Sequence, residues 1–162
     1  MFKRDSGIIR LDAEAEALIG RLTAAETERS AVSLRKRQVE FALETLEKAI
    51  SQGQSYAPAV LLDDPVVASL SQGMAELEIE KRALLLEVTE AHPAALSLKE
   101  QIQHAQRKLR AIYKNSRMSL NVLHESLTAD MSRYEQGLKK LPAAEQQLAR
   151  LTRLAKVNAD IY

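Results

Sequence analysis

Apolar residues recur along most of this chain at alternating steps of three and four. The first series is Leu11, Ala15, Leu18, Leu22, Ala25, Arg29, Val32, Lys36, Val39, Leu43, Leu46 and Ile50, apolar everywhere except at Arg29 and Lys36. A seam sustained over so many heptads marks a helix packed lengthwise against other helices. It predicts one helix over 12–52, about 60 Å long at roughly 1.5 Å per residue. Asp12 stands where an N-cap is wanted, and Gly53 follows the last seam residue as a stop. Arg29 and Lys36 can run their stems along the seam and keep their charges wet, or they can set its register.

Residues 53–64 (GQSYAPAVLLDD) carry Gly, Pro and paired Asp and read as a connection. Asp64-Pro65 is a helix start, with Asp at the N-cap and Pro in the first turn. A second seam follows at Val67, Leu70, Met74, Leu77, Lys81, Leu84 and Val88, predicting a helix over 65–90. Pro93 disfavours a helical conformation at His92 and removes a donor, so the chain breaks or kinks there. A third helix is expected over 93–140, its seam Leu98, Ile102, Ala105, Leu109, Ile112, Ser116, Leu120, Leu123, Leu127, Met131, Tyr134, Leu138 and Leu141. Two consecutive four-residue steps at Ser116 and at Leu127 are stutters that locally unwind a left-handed supercoil. Pro142 opens a last segment, 142–162, with a seam at Leu148, Leu151, Ala155, Asn158 and Tyr162. No strand pattern appears beyond the short Gly7-Ile8-Ile9-Arg10. The expected fold is all-α: an elongated antiparallel bundle or coiled-coil hairpin of three to four helices in a single domain, 1–162. Short connections favour antiparallel neighbours. One very long helix kinked at Pro93 and packed on the first is the alternative.

Composition narrows what such a bundle can do. Lys and Arg total 23 against 22 Asp and Glu, a net charge of +1, without the basic excess of a dedicated nucleic-acid binder. Cys is absent, which removes disulfides, thiolate metal sites and cysteine catalysis. No apolar run approaches the roughly 20 residues that span a bilayer, and the N-terminus lacks the order of a signal peptide.

The usual marks of catalysis are missing as well. His92, His104 and His124 lie on separate stretches without a second ligand at helical spacing. There is no phosphate-cradling Gly-rich loop and no GxSxG elbow. Glu76, Glu78 and Glu80 alternate along a helix, so successive members point to different faces. No catalytic, cofactor or metal residue is assigned, no cofactor is expected, and the chain reads as non-enzymatic. Arg107-Lys108-Leu109-Arg110, with Lys114 and Arg117, is the one local charge excess, and Leu34-Arg35-Lys36-Arg37 is a smaller one. Each suits an anionic polymer or, more commonly, a solvated face flanking a seam. Neither interleaves with aromatics, which argues against nucleic acid.

Several segments, in order, resemble a known family. Leu138-Lys139-Lys140-Leu141-Pro142 followed by Glu145, Leu148, Leu151, Arg153 and Tyr162 resembles the segment that precedes the second membrane span of bacterial polysaccharide co-polymerases. These are the Wzz-like chain-length determinants, including the branch fused to cytoplasmic tyrosine autokinases. Asp64 to Leu70 resembles the start of an internal helix of that family, and Ala91-His92-Pro93-Ala94-Ala95-Leu96 its His-Pro break. Ser6 to Asp12 is similar to the start of its first long helix.

The resemblance implies an inner-membrane protein with two transmembrane helices and a long helical periplasmic part. That part oligomerises and helps set polysaccharide chain length or couples polymerisation to export. The present sequence has neither membrane span, nor the membrane-proximal α/β portion, nor a kinase motif, so it is expected to be the periplasmic insert of a longer protein. The pattern that stops at Tyr162 without a C-cap agrees with that expectation. Four helical segments bring both ends of an insert back toward the membrane. Arg150 and Arg153, three apart, can face a neighbouring subunit or a carboxylate; the commoner alternative is a solvated arginine pair. The family-like positions are thus His92, Pro93, Leu141, Pro142, Arg150, Arg153 and Tyr162. The implied partners are further copies of the same chain and a polysaccharide polymerase or export machinery, with no nucleic acid and with membrane contact only through flanking spans. A coiled-coil adaptor of an envelope secretion system would share the seams; lipoyl-like flanking modules would mark it.

Overall fold

The computed structural model describes residues 13–58, 60–141 and 143–161. They form four helices with no strand among the described residues: α1 (Ala13–Ser51), α2 (Pro65–Leu85), α3 (Pro93–Lys139) and α4 (Ala143–Ile161). The fold class is all-α, as the seams predict. Leu11, Asp12 and the short Gly7–Arg10 pattern lie outside the described residues.

The helix ends follow from local chemistry. α1 stops at Gly53, whose φ of 68° is cheap only for a residue without Cβ. The Gly53 amide donates to the Ile50 carbonyl and the Gln54 amide to that of Ala49, the paired bonds of a Schellman stop. Asp64 caps α2: its side chain accepts from the amides of Val66 at 2.8 Å and Val67 at 3.3 Å. Asp64→Ala is therefore expected to cost about 1 kcal/mol, read from the midpoint of urea unfolding. His92 does the same for α3, its Nδ1 accepting from the Ala94 amide at 3.1 Å. Pro93 follows in the first turn, where a missing donor costs nothing.

α2 is shorter than its seam. It ends at Leu85 rather than near 90, so Val88 closes a turn instead of extending a helical face. The Leu86 and Glu87 amides donate three residues back, to Ala83 and Leu84, which tightens the last turn. The β-branched pair Val88-Thr89 then disfavours continuation, and the extended backbone required before Pro93 completes the break. Residues 86–92 are non-helical, so the single kinked helix is excluded.

The chain divides into two compact units, to each of which α1 and α3 contribute a half. One is Leu34–Asn121. Its core holds Val39, Leu43 and Leu46 from α1, Val67 and Met74 from α2, and Ile102, Leu109 and Tyr113 from α3. Within it α1 and α3 are antiparallel: Lys114 reaches Glu47 at 3.7 Å, while Gly53 and Ala95 line one hollow. α2, however, runs parallel to α1. Asp63, just before its N-terminal cap, is held by Arg35 at 3.1 Å, and its C-terminal Leu85 shares the hollow with Gly53. This corrects the expectation of antiparallel neighbours throughout. The connection does the reversing itself: the carbonyls of Gln54, Tyr56, Pro58 and Val60 meet donors on α3 before α2 turns back.

The other unit comprises the described residues 13–33 and 122–161. Ala15, Ile19, Leu22, Leu127, Met131 and Ala149 form its core. Leu18 of α1 approaches so closely to Gly137 of α3 that a Cβ there would stand 3.0 Å from it. Arg29 donates to Thr128 at 3.4 Å, again an antiparallel pairing of α1 with α3.

α4 turns a different face from the one its apolar spacing predicts. Leu151 is 64% exposed and Ala149 is buried; Ala155 and Asn158 are exposed and Leu148 is half-buried. The Gln146 amide group donates to the carbonyls of Lys139 and Leu141, which fixes the rotation of α4. Residues 146, 149 and 153 then form its inner stripe. The α3 seam shifts similarly: Tyr113 is buried where Ile112 is half-buried, and Leu123 is exposed.

Gly20 and Gly73 lie inside helices with open space where a Cβ would stand. Glycine in a helix interior costs about 0.5–1 kcal/mol relative to Ala. The double variant Gly20→Ala/Gly73→Ala is expected to melt a few degrees higher by calorimetry.

Candidate interaction surface

The most specific polar arrangement lies along α3. Gln106 and Tyr113 stand seven residues apart on one stripe and are both buried. The Gln106 side-chain amide donates to the carbonyls of Gln54 at 2.8 Å and Tyr56 at 3.2 Å. The Tyr113 hydroxyl stands 3.2 Å from the Pro58 carbonyl and 3.4 Å from that of Val60. Alternate carbonyls of the extended connection are thus taken by two side chains of one helix. An extended segment without a sheet partner needs such donors, because buried backbone carbonyls are costly when unpaired. Burial pushes the Tyr113 phenol above its ordinary value of 10.0. Leu61, at φ 56°, then bends the chain toward Asp63, whose carboxyl is held below its usual range chiefly by the hydrogen bond from Arg35.

The family-like positions have mostly structural surroundings. His92 and Pro93 are exposed and form the cap and first turn of α3. Leu141 is half-buried in the turn before α4, its carbonyl accepting from Gln146. Arg153 pairs with Glu26 of α1. Arg150 is exposed and borders the same hollow of about 190 Å³ as Arg153, beside Leu22 and Ala149. Pro142 and Tyr162 lie outside the described residues. The structure therefore brings Arg150 and Arg153 together, while His92 and Pro93 belong to the other unit.

Other polar residues are dispersed. Among the described residues no group of three His, Asp or Glu side chains could hold a metal ion. Glu78 pairs with Arg82 one turn on. His104 borders an open groove between α2 and α3 with Glu100, Gln101, Gln103 and Arg107.

Two surfaces escape a reading by seams. Apolar side chains stand in pairs seven residues apart on outward faces: Leu34 with Phe41 on α1, and Ile79 of α2 with Leu86, the cap that follows its last residue. Phe41 is 65% exposed, Ile79 68% and Leu86 89%. Their spacing is visible in the sequence, but it runs beside a stronger seam that draws the eye. The second surface is the basic side of α3. Arg107, Arg110, Lys114 and Arg117 follow steps of three, four and three, which places them on a single stripe. Among the described residues no helix is long and apolar enough to cross a membrane. Comparison with protein-family models, curated proteins and solved structures returns no match.

Proposed function

We propose that this chain is a non-catalytic coiled-coil module of a bacterial polysaccharide chain-length determinant. It works in the periplasm by self-assembly and by positioning a polymerase or export partner. The observation that carries this reading is the set of outward apolar pairs, Leu34 with Phe41 and Ile79 with Leu86. Large apolar side chains repeating along outer helix faces, away from a complete core, are suited to contact with another protein surface. The ordered resemblance of residues 6–12, 64–70, 91–96 and 138–162 to the co-polymerases supplies the biological setting.

Leu34→Glu/Phe41→Glu is the test. In the full-length protein in its own organism, the variant is expected to fall to smaller species by sedimentation. The length distribution of the surface polysaccharide is expected to change with it. Unchanged assembly and unchanged polysaccharide would overturn the reading.

A further inference from the structure

Residues 101–124 contain no carboxylate, yet they carry Arg107, Lys108, Arg110, Lys114 and Arg117. The interval is the longest acid-free stretch of the chain. All five cations lie on α3 within the unit Leu34–Asn121. Arg107, Arg110, Lys114 and Arg117 succeed one another at about one per helical turn, roughly 5 Å apart along the axis. The row flanks the core side of the same turns, where Ala105, Gln106, Leu109 and Tyr113 are buried: Arg110 and Arg117 each stand one turn after the buried Gln106 and Tyr113. Arg107 and Lys114 are exposed, while Arg110 and Arg117 are half-buried, their stems lying on the protein and their charges at its edge. Among the described residues only Lys114 meets a carboxylate, Glu47 at 3.7 Å. The stripe is therefore a row of cations that the fold itself leaves largely uncompensated.

The N-terminal end of the row opens into the groove between α2 and α3. There Ser97, Gln101, Gln103 and His104 accompany Arg107, with Glu100 as the single acid. Side-chain amides and hydroxyls both donate and accept, which suits the hydroxyl groups of a sugar chain. No aromatic side chain stands on the stripe: Tyr113, the one aromatic in the interval, is buried on the core side. Bases therefore find no stacking platform, and a net charge of +1 is not that of a nucleic-acid domain.

We propose that the α3 stripe Arg107–Arg110–Lys114–Arg117, with the adjoining amide-rich groove, binds a carboxylate-bearing polysaccharide laid along the helix. The choice of a glycan rests on the reading of this chain as part of polysaccharide machinery; the choice of an acidic one rests on the stripe. Each turn offers one cation to a polymer with regularly spaced carboxylates, so binding is weak per contact and additive along the row. Release of counterions from the polymer makes it salt-dependent.

The probe is a size-selected polygalacturonate titrated calorimetrically into the purified chain at low salt. Neutral dextran and a single-stranded oligonucleotide are run beside it. The chain is expected to bind the polyuronate, with affinity falling as salt rises, and to leave dextran unbound. Arg107→Gln/Arg110→Gln/Arg117→Gln should weaken binding about tenfold or more, with circular dichroism and Tm unchanged. Arg21→Gln/Arg133→Gln/Lys156→Gln, equal in charge removed and lying in the other unit, should bind as the parent does. The proposal is overturned if polyuronate does not bind, if both triple variants lose equally, or if the oligonucleotide binds more tightly than the glycan. Sedimentation of the same samples separates this outcome from self-assembly, because loss of glycan binding with assembly intact removes the stripe alone.

Discussion

Replacing Leu109 by Asp is expected to leave the chain largely unfolded at room temperature. Leu109 has no accessible surface, and its place on α3 between Gln106 and Tyr113 puts it in the core of its unit. The substitution removes a buried side chain worth about 2–3 kcal/mol of transfer. It also asks a carboxylate to enter that site without a cation. Burying an unpaired charge is costly enough that the protein neutralises it or expels it, and the sum is at least about 4–5 kcal/mol. Domains of this kind have about 5–15 kcal/mol in total, so most of the stability goes. Leu151→Asp is the informative comparison. Leu151 belongs to an equally regular apolar series, yet it is 64% exposed, and its replacement is expected to change stability by about 0.5 kcal/mol or less. Glu47→Ala, which breaks only an exposed pair with Lys114, falls in the same range. Urea denaturation followed by circular dichroism separates the three. Equal midpoints for the Leu109 and Leu151 variants would show that the burial assigned to α3 and α4 is wrong.

Leu109 and Leu151 also mark what a period-based reading can and cannot see. Spacing by three and four locates a helix and gives it an apolar stripe, and for α1 and most of α3 that stripe is the core: Ala15, Leu22, Val39, Leu43, Leu46, Ile102 and Leu109 are all buried. Apolarity decides the inner face where helices are long and the seam is strong. In α4 two stripes compete, and the choice passes to polar groups. Gln146 closes the turn onto the Lys139 and Leu141 carbonyls, and Arg153 pairs with Glu26. Those contacts rotate the helix by about one residue from its most apolar face. The direction of α2 was hidden for a related reason. Length and composition mark 53–64 as a connection, but only the donors on α3 show that it is held along that helix rather than closed as a tight turn. Asp64, in contrast, acts through residues two and three positions away, and such capping by Asp is legible from sequence; the cap by His92, two residues before its partner Ala94, is not, because His is not among the usual capping residues.

The candidate surfaces are legible to different degrees. The residues of the basic row are evident as a charge excess, and their spacing puts them on one side of α3. Their lack of carboxylate partners depends on which acids α1 and α2 bring near, and that is a property of the packing. The outward apolar pairs become meaningful only once a separate, complete core has been identified, since Leu34 and Phe41 are otherwise simply more apolar residues on an apolar helix. Gln106 and Tyr113 carry no signal at all by period, because a polar side chain at a core position reads as an interruption.

Removing the Tyr113 side chain should be the most damaging change at that connection. Tyr113→Ala deletes a fully buried ring and is expected to cost about 3–5 kcal/mol, as aromatic truncations in cores do. Tyr113→Phe isolates the hydroxyl. The ring stays, and the Pro58 and Val60 carbonyls lose their donor, at about 1–2 kcal/mol. This variant is expected to keep its helical signal while the connection is released from α3, so that chymotrypsin cuts near Tyr56 and Leu62 sooner than in the parent. The pH dependence adds a second readout. Burial raises the folded-state phenol pKa above 10.0, whereas the unfolded chain titrates at the ordinary value. Below that value the contribution of the protonated hydroxyl is fully present; as pH rises through the folded-state value it is lost. Parent and Tyr113→Phe stabilities should therefore differ at neutral pH and draw together in strong alkali. A constant difference across that range, or identical cleavage of the two proteins, would mean that the hydroxyl does not hold the connection, and that its place beside α3 is secured by Gln106 and apolar packing alone.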